Sequence, residues 1–172
     1  MEYIPSKDKK SKRVASVILA ISCIGLIGAS LLDIQYRLFY QLISLLVAVL
    51  SFEILYRYHL TTYIYAVQVN DFVIAKRIGA RTQTVCNLAL STLIAVQKTP
   101  KTKEEKQKFA ETFGKALLRY NYCQSIAPKI SYTAVFAFND KYARIDFEAN
   151  ATFVSLLENY LSKKSEMEED LF

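Results

Sequence analysis

The sequence predicts a membrane α-helical hairpin followed by an α+β domain of mainly antiparallel strands, closed by a C-terminal helix. Three observations carry this expectation. Two apolar runs, 14–32 and 38–56, stand on either side of the polar break Asp33-Ile34-Gln35-Tyr36-Arg37. From Thr61 onward solid apolar sequence gives way to alternation, interrupted by turn-forming pairs such as Asn70-Asp71 and Gly79-Ala80. Near the end, Phe153, Leu156, Leu157, Tyr160 and Leu161 recur at helical spacing.

Residues 1–13 come first. They carry Lys7, Lys9, Lys10, Lys12 and Arg13 against Glu2 and Asp8, and their polarity predicts a disordered basic segment on the cytoplasmic side. A secretory signal would also begin with positive charge. An apolar run longer than the usual ~7–15 residues and a second run directly after it oppose cleavage. Cys23 follows Ala20-Ile21-Ser22 in a faint lipoprotein pattern, but the chain stays apolar through Leu32, where a released lipoprotein turns polar.

Each apolar run is 19 residues long. At about 1.5 Å rise per residue, such a helix spans roughly 28 Å, close to the ~30 Å hydrocarbon core. The first run is free of charge, and Ser22, Gly25 and Ala29 form a stripe of small residues against which a second helix can pack. The second contains Gln41, Ser44, Ser51 and Glu53, with Arg57 four residues after Glu53. Tyr36, Tyr40, Tyr56 and Tyr58 flank it, as residues of an interfacial belt do. One unbroken helix over both runs would be about 65 Å long, twice the bilayer core, so the break is expected to turn. A buried pair of helices in a globular protein is the alternative, and neither run has the polar face it needs. Five basic residues precede the first run and one, Arg37, lies in the connection. This bias places both ends of the chain in the cytoplasm and the protein in the inner membrane.

The alternating region divides into candidate strands. They cover 61–69, 72–78 and 81–90, with 90–96 continuing as a fourth strand or a short turn plus strand. The charged stretch 98–108, with Pro100, reads as a loop, and 109–115 leaves a short helix open. Strands are expected again at 116–124, 130–138 and 142–147, the last two joined by Asn139-Asp140. Ile145 and Phe147 would point inward, Arg144 and Asp146 outward. Asn150 or Thr152 can cap the final helix at 150–163, and Lys163-Lys164 suit its C-terminal end. Glu166 to Asp170 reads as an acidic, frayed tail. The domain limits are then 1–13, 14–56, 57–165 and 166–172.

Seven candidate strands and one closing helix are the element order of a pleckstrin-homology-like barrel. The chain resembles small bacterial two-span proteins that carry such a domain, a group whose biochemical function is largely unassigned. The resemblance rests on the hairpin at 14–56, on the stretch YIYAVQVNDFVIAKR at 63–77, and on Ile145-Asp146-Phe147-Glu148 leading into the last helix. It implies a fold and brings no functional residues with it.

A chemical site is hard to assemble. Cys23, Cys86 and Cys123 form no CxxC, and their odd number argues against a disulfide framework. His59 is the sole histidine, and Gly79 and Gly114 are isolated, so neither a metal set nor a phosphate loop is expected. Asp146 with Glu148, and Glu104 with Glu105, read as solvent-facing strand and loop carboxylates. Asn150-Ala151-Thr152 matches the glycosylation pattern but would lie in the cytoplasm. The net charge of +6 could suit nucleic acid, yet the densest basic cluster abuts an apolar run, which favours the membrane surface. One local patch remains: Lys76, Arg77 and Arg81 on a strand turn, a weak lipid-surface contact, with the lysine-rich 98–108 able to act likewise.

No catalytic residue, metal or cofactor is expected, and no nucleic-acid partner. The functional expectation is a membrane-anchored cytoplasmic binding or scaffolding module. It would take a protein partner and touch anionic lipid without specificity. The alternative is an anionic-lipid head-group sensor using the hairpin from Lys76 to Arg81. An enzyme would need clustered polar residues that this sequence does not present.

Overall fold

A computed structural model describes residues 1–6, 9–31, 36–114, 118–126, 128–138 and 141–169. It divides into two compact units, Ser6–Thr62 on one hand and Met1–Pro5 with Tyr63–Phe172 on the other.

The first unit is a pair of packed helices. Helix α1 covers Lys9–Leu31 and α2 covers Arg37–Leu55, continued by a π-helical turn at Tyr56–Leu60. The basic residues 9–13 are therefore helical, not disordered. Lysine and arginine are good helix formers, and a helix nucleated in the apolar run extends through them at little cost. Most of the expected break lies outside the described residues. Of the remainder, Tyr36 is held at φ 67 and Arg37 opens α2.

The stripe of small residues faces the partner helix. Ser22, Ala29 and Ser51 are buried, and a Cβ at Gly25 would come within 3.1 Å of Ser44 Oγ. Three serines return their hydroxyls to carbonyls of their own helix: Ser22 to Ile18 at 2.8 Å, Ser30 to Leu26 at 2.8 Å and Ser51 to Val47 at 2.7 Å. Gln41 Nε2 donates across the pair to Ser30 Oγ at 3.0 Å. The outer surface is apolar, with Ile21, Ile24, Leu38, Leu42 and Leu46 more than half exposed. Among the described residues, one helix, Arg37–Leu60, is long and apolar enough to cross a membrane, and Ser16–Leu31 is apolar but shorter. The expectation of two runs of spanning length is met by this measure for one of them.

The second unit contains two four-stranded sheets. The first has the order β1 (Glu2–Tyr3), β2 (Thr61–Gln68), β3 (Asp71–Ile78), β4 (Arg81–Ala89). A 3-10 turn at Leu90–Thr92 leads to β5 (Leu93–Lys98) and helix α3 (Lys103–Phe113). Then follow β6 (Leu118–Asn121), β7 (Tyr132–Phe138), β8 (Lys141–Phe147) and helix α4 (Ala151–Glu169). The second sheet has the order β5-β7-β8-β6, antiparallel except for β6, which runs parallel to β8. The two sheets do not join into a closed barrel. The turn at Leu90–Thr92 sends β4 and β5 into different sheets, so each sheet keeps its own edges.

Several expectations change in detail. The N-terminus supplies a strand: Tyr3 pairs with Tyr65 and Glu2 with Ala66, and Val67 N donates to the Met1 carbonyl at 2.9 Å. Val69 belongs to the β2–β3 turn at φ 32, not to the strand. The charged stretch is a loop only to Thr102. There a capping box starts α3, with Glu105 N donating to Thr102 Oγ1 and the Glu105 carboxylate accepting from Thr102 N. The expected strand at 116–124 is β6 alone among the described residues; 115–117 and the turn 139–140 lie outside them. Helix α4 reaches Glu169, so most of the expected frayed tail is helical, with 170–172 outside the described residues.

The core lies between the sheets and under α4. Tyr65 and Phe72 from the first sheet meet Phe136 and Phe147 from the second, and Phe153 of α4 completes the cluster. Ring centroids are 5.5–5.7 Å apart for Phe72–Phe147, Phe72–Phe136 and Tyr65–Phe147. Asn150 Oδ1 accepts from Phe153 N at 2.9 Å, which selects Asn150 as the cap of α4. Phe153 and Leu157 are fully buried, and Tyr160 and Leu161 pack against the cluster from its margin.

Candidate functional site

Strand alternation gives the second sheet two faces. One carries Ala134, Phe136, Ile145 and Phe147 into the core. The other carries Thr133, Val135, Arg144 and Asp146, as the sequence predicts for Arg144 and Asp146. This outer face is not solvent, which corrects the assignment of Asp146 as a solvent-facing strand carboxylate. Phe109 of α3 is buried there, and the Arg144 guanidinium lies 4.8 Å from the centre of its ring. Arg144 and Asp146 are only 8% and 4% exposed.

Asp146 is the hub beneath the helix. Its Oδ1 accepts from Thr133 Oγ1 at 2.5 Å and from Arg144 Nε at 2.9 Å, and Arg119 Nη2 stands 3.6 Å from Oδ2. Thr133 is directly opposite Asp146 in the register, and Asn121 of β6 is opposite on the other side. The group is satisfied from several directions and clamps β6, β7 and β8 together, while Arg144 carries the contact to Phe109 of α3.

Beside that clamp a groove of about 620 Å³ opens between α3 and the segments 97–101 and 129–131. Lys98, Lys101, Lys108 and Lys129 line it, with Glu105 as the acidic member. Pro100, Phe109, Phe113 and Ile130 give it apolar walls. Lys101 Nζ donates to the carbonyls of Pro128 and Lys129 at 2.8 and 2.9 Å, which ties the two loops together. Glu105 accepts from Lys101 N at 2.7 Å and from Thr102 N at 3.1 Å, and these bonds hold its carboxyl below the ordinary 4.5.

The groove was partly legible. The lysines at 98, 101 and 108 stand out in the sequence. Lys129 and the first turns of the helix do not, because Pro100 and the density of charge over 98–108 favour a loop. The capping pair Thr102 and Glu105 followed by Phe109 and Phe113 was the signal for a short helix with one apolar edge.

The basic turn is arranged differently. Lys76 and Arg77 are consecutive on β3 and point to opposite faces of the sheet. Arg81 is opposite Ile78 in the register and so shares the face of Lys76. The strand turn brings Lys76 and Arg81 to one face and leaves Arg77 on the other.

The remaining polar groups have local duties. Ser125 N and Oγ donate to the Glu148 carboxylate at 2.6 and 3.2 Å, so Glu148 closes the loop before β7. Tyr65 Oη donates to the Tyr122 carbonyl at 2.8 Å, and burial drives its phenol far above the ordinary value. Burial also pushes Tyr122 up to about 12 and the Cys86 thiol up to about 11. A thiol held neutral in this way is a poor nucleophile. Among the described residues no three His, Cys, Asp or Glu side chains gather as a metal set would. No protein-family model matches the chain, and no curated protein matches it.

Proposed function

We propose that the protein is a binding or scaffolding module held on the cytoplasmic face of the inner membrane by a two-helix anchor, with a pleckstrin-homology-like domain as the working part. One observation carries the membrane half of this reading. Strand β1 precedes the helix pair and β2 follows it, yet the two are hydrogen-bonded neighbours in one sheet, with Tyr3 opposite Tyr65. A chain that leaves a folded unit and returns to the same sheet crosses a bilayer an even number of times. If α2 crosses, α1 crosses too. The apolar outer surface and the internally bonded serines of the pair favour a hydrocarbon surround, where polar groups must find partners inside the protein. The basic residues at 9–13 would stand at the cytoplasmic surface.

The functional half is binding in preference to catalysis. The domain presents an open, charged groove, and its buried polar groups are engaged in holding the fold. The alternative, a lipid head-group sensor at Lys76, Arg77 and Arg81, draws less support because the strand separates these charges. Three surface charges give on the order of 3 kcal/mol of attraction to an anionic leaflet, screened within about 8–10 Å. That is enough to orient the domain, and an anchored domain needs no tighter lipid site.

The test is photo-crosslinking in cells from Thr82 and Thr112, exposed positions on β4 and α3. The expected result is a discrete protein adduct from at least one position. Adducts to lipid alone, selective for one head group and lost in Lys76→Ala/Arg77→Ala/Arg81→Ala, would replace this reading with the sensor.

A further inference from the structure

We infer that the groove between α3 and the β5 and β7 ends binds an acidic peptide segment that also carries apolar side chains. The inference deepens the binding-module reading and rests on it.

Charge comes first. Four lysines line the groove, and the one carboxylate among its described lining residues, Glu105, is turned back onto the amides of Lys101 and Thr102. Lys101 spends part of its ammonium on two carbonyls, whereas Lys98, Lys108 and Lys129 stand exposed around the opening. An anionic occupant is therefore favoured.

The donor set then decides which anion. A compact phosphate is usually held by backbone amides at a helix N-terminus or by the fork of an arginine. Here the capping box has already engaged the amides of Thr102 and Glu105, Lys103 and Glu104 are not part of the lining, and among the described residues no arginine lines the groove. What remains is a rim of flexible point charges. Such a rim suits carboxylates distributed along a chain.

The walls supply the second requirement. Phe109 and Pro100 are buried, Phe113 is half-buried, and Ile130 is 60% exposed. An exposed isoleucine beside aromatic rings is a seat for apolar side chains between the acidic ones. This chain itself contains a segment of that chemistry, Glu166-Met167-Glu168-Glu169-Asp170-Leu171-Phe172. That heptapeptide is the probe.

The experiment titrates fluorescent heptapeptide into the full chain held in nanodiscs of neutral lipid. Saturable binding is expected. Lys98→Gln/Lys108→Gln/Lys129→Gln should weaken it at least tenfold, as should replacing the four peptide acids by amides. Phe113→Ala should weaken it several-fold, and Lys76→Gln/Arg77→Gln/Arg81→Gln should leave it unchanged. Absence of saturable binding, or equal binding by the groove triple variant, would overturn the inference. So would displacement of the peptide by millimolar inorganic phosphate or by anionic vesicles in preference to the unlabelled peptide. The lysines are exposed, so their variant keeps the fold even where Phe113→Ala does not. Carbonate extraction of the same protein from cell membranes reads the anchor separately. Peptide binding without an anchor would remove the membrane reading and leave the groove; an anchor without peptide binding would remove the groove alone.

Discussion

Asp146 shows how much one side chain can hold. Its carboxylate is nearly enclosed and neutralises an equally enclosed Arg144. Removing one member of such a pair strands the other, at roughly 3–5 kcal/mol. Asp146→Ala should destabilise the sheet unit by about that amount in urea unfolding followed by tyrosine circular dichroism. Arg144→Met/Asp146→Leu should recover most of the loss, because neither charge is then buried alone. Val69 is a smaller case. A β-branched residue at φ 32 in a tight turn is strained, and its side chain is 94% exposed. Val69→Asn should stabilise by about 1 kcal/mol in the same measurement. The tyrosines give a pH dependence. Tyr122 has its folded value raised from 10.0 to about 12, so above pH 10 the unfolded chain releases its proton first. The stability that this group contributes is present below pH 10 and lost as pH rises toward 12, and Tyr65 acts in the same direction. A Tyr65→Phe/Tyr122→Phe variant should show a flatter loss over that window. At this scale alternation places Asp146 on the correct face of its strand, but no local pattern reveals what covers that face.

Among the elements, α4 was the most legible and α3 the least. Five apolar residues at helical spacing announce α4 without help from the rest of the chain. Its anchors are Phe153 and Leu157, both with no exposed surface. Leu157→Ala should cost about 2–5 kcal/mol, depending on how far the core collapses into the space. Thermal unfolding would measure this, and an unchanged midpoint would deny α4 its place in the core. Helix α3 is mostly charged, and Phe109 is its one buried residue. Its identity lies in a four-residue cap that is easily overlooked beside Pro100 and five lysines. Strand β6 was placed by alternation, yet its parallel pairing with β8 depends on the path of 122–131, which no local pattern specifies.

For the whole molecule the decisive contact is also the one the sequence hides best. Glu2 and Tyr3 are two residues with no periodicity, and their partners lie more than sixty positions away, beyond both helices. Tyr3 stacks on Tyr65 with centroids 6.4 Å apart and reaches Phe153 at 6.2 Å, so the N-terminus is tied to the core of the sheet unit. That tie turns a statement about charge bias into one about connectivity. Under the proposed two-helix anchor, residues 5 and 165 would lie on the same side of the membrane. The most direct test places single cysteines by Pro5→Cys, Gln35→Cys and Ser165→Cys in a background with Cys23, Cys86 and Cys123 replaced. Intact cells are then treated with an impermeant thiol reagent. Labelling of Gln35→Cys alone is expected, with Pro5→Cys and Ser165→Cys reacting only after permeabilisation; labelling that puts Pro5→Cys and Ser165→Cys on opposite sides, or all three on the same side, would overturn the two-helix anchor.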